Sequence, residues 1–99
     1  MKNIQKTPFP FYHKKVAVEN SGRPISTLTD EPVTLLNLDI QVQTNAVDFG
    51  DRNGQDLQLS VGDIYSNPLN KPIKMQDIWV SNHSSGDTGY IVITGLLVV

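Results

Sequence analysis

The chain has no cysteine among its 99 residues. That absence excludes disulfide staples, cysteine–zinc sites and thiol catalysis together. Histidine is almost as scarce. His13 and His83 stand far apart and share no ligand-like spacing with a carboxylate, so the sequence offers no metal centre. No window repeats apolar residues at helical spacing over three turns, which argues against a helical fold. Apolar runs are also short. The longest, Tyr90 to Val99, spans about ten residues, too few to cross a bilayer as a helix and suited to a buried strand. Near the start, Ile4-Gln5-Lys6-Thr7-Pro8 interrupts any signal-peptide core, so a soluble, unprocessed protein is expected.

Catalytic signatures are equally sparse. There is no Gly-x-Ser-x-Gly elbow. Asp48-Phe49-Gly50 matches a kinase tripeptide, but a kinase's other loops do not fit in this chain, and a strand end entering a turn explains it better. Asp48, Asp51, Asp56 and Asp63 lack the spacing of an EF-hand loop and read as a solvated acidic face. Asn82-His83-Ser84 fits the glycosylation pattern without other signs of secretion. The expectation is therefore a non-enzyme without metal, cofactor or small-molecule substrate.

What the chain does have is β patterning. At 38% apolar residues, it can fill only a thin core, as in a sandwich where one face of each strand points inward. From Leu36 to Gln43, Leu36, Leu38, Ile40 and Val42 alternate with Asn37, Asp39, Gln41 and Gln43, the mark of a half-buried strand. Lys15-Val16-Ala17-Val18 and Ile25 to Leu28 read as short strands around the turn Asn20-Ser21-Gly22-Arg23-Pro24. Val47-Asp48-Phe49 starts a partner strand, and Leu57, Leu59 and Val61 alternate with polar residues. Ile73 and Met75 suggest a short strand, and Ile78-Trp79-Val80 is strongly β-prone. His83-Ser84-Ser85-Gly86-Asp87 turns the chain into the last strand. The fold expected is all-β: a small antiparallel β-sandwich, or a barrel-like relative, of about seven to eight short strands.

The ends differ in charge. Lys2, Lys6, Lys14 and Lys15 precede any acid, whereas the later 84 residues hold ten acids against Arg23, Arg52, Lys71 and Lys74. The basic segment also contains Thr7-Pro8-Phe9-Pro10-Phe11-Tyr12, where prolines at alternating positions enforce an extended backbone. Residues 1–15 thus read as an extended N-terminal arm and residues 16–99 as the sandwich. Phe9, Phe11 and Tyr12 are the expected anchors for a neighbouring subunit, with Lys14 and Lys15 orienting the contact. The alternative is an arm folded back to cap its own core. An acidic body would repel a phosphate backbone, so nucleic acid is not the expected partner, and neither is a membrane.

The order of segments resembles that of small tailed-bacteriophage virion proteins. Val16-Ala17-Val18 leads to Arg23-Pro24-Ile25-Ser26; an alternating strand runs into Val47-Asp48-Phe49-Gly50-Asp51; Asp77-Ile78-Trp79-Val80 follows; and Gly86-Asp87-Thr88-Gly89 enters the final apolar strand. The resemblance covers roughly residues 16–95. It implies a virion component used in head decoration, head fibres, or neck and tail attachment. It further implies that the protein self-associates as a homo-oligomer and contacts the major capsid protein or other virion proteins. A small carbohydrate- or protein-binding β-domain is the competing reading, with Trp79 and Tyr90 as stacking candidates. An enzyme built on paired loop aspartates is the third.

Overall fold

A computed structural model describes residues 11–67 and 71–98. Phe9, the remainder of residues 1–10, and residues 68–70 and 99 lie outside the described residues. Among the described residues, nine strands form two antiparallel sheets: β1 (Phe11–Ala17), β2 (Arg23–Pro24), β3 (Thr34–Thr44), β4 (Val47–Asp51), β5 (Gly54–Leu59), β6 (Ile64–Ser66), β7 (Ile73–Lys74), β8 (Trp79–Asn82) and β9 (Tyr90–Leu97). The first sheet runs β1-β9-β3-β6, with β7 also paired to β3; the second runs β2-β8-β4-β5. The core lies between them. Leu35, Leu38, Ile40, Val42, Ile91 and Ile93 of the first sheet meet Val47, Phe49 and Val80 of the second. The Phe49 ring stacks across the layer on Tyr65, 5.9 Å between centroids. The all-β class expected from the patterning is the class observed.

The long strand β3 departs from simple alternation at its start. Leu36 pairs with Leu96 but Asp39 pairs with Thr94, so β3 contains one residue more than β9 over that interval. The extra residue is a β-bulge, with Asn37 in the left-handed region at φ 52°. Asparagine tolerates that conformation better than most residues. The bulge shifts the pattern by one, so Leu35 is fully buried while Leu36 faces outward, contrary to the even alternation expected from Leu36 onward. Gly95 lies across from the bulge, where an added Cβ would come within 3.0 Å of the Leu36 carbonyl oxygen.

Ile25 to Leu28 does not form the expected strand. Ile25–Thr29 is a single helical turn, α1. The β-branched residues favour a strand locally, but Ile25 and Thr29 are both buried, and a spacing of four puts them on one helical face. The Thr29 hydroxyl donates to the Ile25 carbonyl at 3.2 Å, and Asp30 closes the turn in the left-handed conformation, its N–H donating to the Ser26 carbonyl. Met75, expected in a strand with Ile73, lies in a short 3-10 turn, Met75–Asp77.

The first strand begins at Phe11, not at Lys15, and pairs along its whole length with β9. Its Tyr12 ring is buried, 6% exposed, and the hydroxyl donates to Glu31 Oε1 at 3.2 Å. Burial raises the Tyr12 pKa above its ordinary value of 10.0, and the adjacent Glu31 carboxylate adds to the effect. The folded protein therefore retains this proton where the unfolded chain has released it. Its stability is undiminished below about pH 10 and falls as pH rises through the folded-state value. Urea denaturation on both sides of pH 10 is expected to show a smaller alkaline loss in Tyr12→Phe than in the unaltered protein.

Candidate functional site

Directly paired residues of an antiparallel sheet share a face, so the register defines what the outer surface of the first sheet carries. One row is Phe11, Leu96 and Leu36; the next is His13, Thr94, Asp39 and Ser66; a third is Lys15, Val92, Gln41 and Ile64; Ala17, Tyr90 and Thr44 follow. The first and third rows put apolar side chains on a face that, among the described residues, no other layer covers. Phe11 is 63% exposed and Ile64 57%. Phe11 stacks on His13 with centroids 5.7 Å apart, and Lys15 Nζ lies 5.6 Å from the Tyr90 ring centroid. The Lys15 ammonium thus lies at the β1 edge, whereas Asp39, which accepts a hydrogen bond from Ser66, lies on β3.

The expected anchors divide across the two sides of this sheet. Phe11 and Lys15 belong to the outer surface. Tyr12 does not: its ring fills this chain's own core and is not available to a neighbour. Lys14 sits half-exposed on the Tyr12 side of the strand, its Nζ 3.6 Å from the Glu31 carboxylate. Alternation along β1 enforces this division, because adjacent residues point to opposite faces. Residues that the sequence reading did not single out, Leu36, Val92 and Leu96, complete the apolar surface. The signal for them was present in β9, which is apolar on both faces although only one meets the core.

The second sheet offers a different surface. The β4–β5 hairpin turns at Arg52 and Asn53, where the Asp51 carboxylate accepts the Asn53 N–H at 2.8 Å. Gly50 is obligatory there, since an added Cβ would lie 1.9 Å from the Gly54 carbonyl oxygen. On one side of the hairpin, Phe49, Leu57, Tyr65, Ile73 and Ile78 line an open cavity of about 620 Å³. On the other, a groove of about 700 Å³ runs past Trp79 between Asp51, Arg52, Asn53, Gln76 and Asp77. Asp51, Asn53 and Asp77 border both. Trp79 is half-buried and lies on the opposite face from the buried Val80.

Strand pairing also joins two residues that are remote in sequence. His83 Nδ1 lies 2.9 Å from Asp48 Oδ1. Ser81 pairs with Asp48 in the ladder, but among the described residues it makes no hydrogen bond to His83, so the three do not form a relay. Among the described residues no three of His, Asp or Glu converge on a metal position. No helix among them is long and apolar enough to cross a membrane. Comparison with known proteins yields no matching family model, no matching curated protein and no matching solved structure.

Proposed function

We propose that this chain is a non-enzymatic structural protein that works inside an assembly, its outer first-sheet face covered by further copies of itself and by neighbouring subunits. The observation carrying the reading is the apolar surface of Phe11, Leu36, Ile64, Val92 and Leu96 on a face that no other layer covers among the described residues. A twofold axis parallel to the strands lays each row of one copy on the same row of the other. Leu36, Leu96 and Phe11 then meet their counterparts, and His13 enters the row of the other copy's Asp39. The assembly that the order of segments resembles is a tailed-bacteriophage virion, in which decoration and attachment proteins contact the major capsid protein or its neighbours.

Two measurements test this reading. Immunogold labelling of phage particles from a producing culture is expected to decorate heads, necks or tails; unlabelled particles with the protein free in the lysate would refute a virion role. Sedimentation tests the face itself. Phe11→Asp is expected to shift the protein from oligomer to monomer, because truncating an aromatic anchor costs about 2 kcal/mol, roughly thirtyfold in affinity. Phe11 is largely exposed in the single chain, so at dilutions where both proteins are monomeric the unfolding midpoint should barely move.

A further inference from the structure

We propose that the groove beside Trp79 is a binding site for a neutral pyranose sugar, independent of the assembly face on the other sheet. The cross-strand neighbours of Trp79 are Pro24 on β2 and Gly50 on β4. Gly50 has no side chain and Pro24 is a compact ring, so neither covers the indole as a larger residue would. An amphipathic ring that is half-buried, with one part open along a groove, can stack against the apolar face of a sugar.

The polar groups around it suit hydroxyls, which both donate and accept. Asp51 and Asp77 supply acceptors, Arg52 supplies donors, and the Asn53 and Gln76 amides supply both. Among the described residues, the side chains of Arg52, Gln76, Asp77 and Trp79 make no hydrogen bond or ion pair within the protein. They flank the groove from two turns: Gln76 and Asp77 in the turn just before β8, Arg52 and Asn53 at the tip of the hairpin that needs Gly50. A volume of about 700 Å³ lies within the range of small-ligand sites. An anionic ligand is disfavoured, because Asp51 and Asp77 face it with only Arg52 in return.

Trp79 is the single tryptophan of the chain, so its fluorescence reports on this groove alone. Titration with the methyl glycosides of glucose, galactose and mannose and with N-acetylglucosamine is expected to give a saturable emission change for at least one sugar. The dissociation constant should be of order 1 mM, as expected for a shallow single-ring site. Asp77→Asn should weaken that binding about tenfold with an unchanged unfolding midpoint. Trp79→Ala should abolish it, as read from backbone amide shifts of residues 51–54 by NMR. The assignment is overturned if neither fluorescence nor amide shifts saturate with any of these sugars, if Trp79→Ala binds as tightly as the unaltered protein, or if choline saturates the site and the sugars do not. Because Phe11→Asp lies on the opposite sheet, it should leave sugar binding intact, so failure of either proposal is readable without the other.

Discussion

Leu35→Ala is expected to lower the free energy of unfolding by about 3 kcal/mol, whereas Leu36→Ala should cost less than about 1 kcal/mol. The two leucines are adjacent and chemically identical, so the difference is purely one of direction. Leu35 is fully buried among the core residues of both sheets, and its removal leaves a cavity that rigid strands close only partly. Leu36 points to the outer face beside Leu96. Even alternation counted back from Val42 predicts the reverse, so the pair tests whether the bulge at Asn37 exists. Urea denaturation of the two variants reads it directly, and equal losses would remove the bulge. The same bulge makes Asn37→Gly nearly neutral, because glycine takes φ 52° freely. Asn37→Val should cost about 1–3 kcal/mol, since a β-branched residue is strained there. In an oligomer that covers the outer face, Leu36→Ala would also weaken association, which dilution during denaturation separates from folding.

The features legible in the sequence are those governed by near neighbours along the chain. Leu38, Ile40 and Val42 announce a half-buried strand by period two alone, and all three are buried. Val47-Asp48-Phe49 does the same for β4, and the largely apolar run from Tyr90 to Leu97 marks the last strand, which pairs on both sides. The features missed are those decided across the fold. Ile25–Thr29 is a helical turn because burial of Ile25 and Thr29 outweighs their strand propensity, and five residues are too few to show a helical period. Asp48 and His83 meet only once β4 and β8 are in register. The Trp79 groove likewise depends on Pro24, the β4–β5 hairpin and the Gln76–Asp77 turn, which come from three separate segments. Of the aromatic arm, composition singled out residues rich in docking chemistry. Only pairing with β9 assigns Phe11 to the outside and Tyr12 to the core.

Asn82→Ala should cost about 3 kcal/mol, a large loss for a polar side chain and one that no local pattern announces. Asn82 is buried at the end of β8, and every polar atom of its amide is engaged. Its Nδ2 donates to the Val18 carbonyl at 2.8 Å and to Asn20 Oδ1 at 2.9 Å; its Oδ1 accepts the Gly89 N–H at 2.8 Å. Val18 follows β1 and Gly89 precedes β9, both in the first sheet, while Asn82 belongs to the second. The amide therefore ties the two layers together at one end, where Val18 also donates its N–H to the Gly89 carbonyl at 2.8 Å. Alanine leaves the Gly89 N–H without a partner in a buried position and removes one from the Val18 carbonyl. Each such group costs about 1–3 kcal/mol. For a domain of this size the loss corresponds to a thermal midpoint lowered by roughly 15 °C, measurable by calorimetry. Asn82→Asp preserves the shape and the acceptor for Gly89, but at neutral pH it sets a carboxylate against the Val18 carbonyl and Asn20 Oδ1. It should be no better than alanine there and should improve on acidification, when the protonated carboxyl regains one donor. A loss below about 1 kcal/mol for Asn82→Ala would mean that water substitutes for the amide and that the backbone bond from the Asn82 N–H to the Glu19 carbonyl suffices to join the layers at this end.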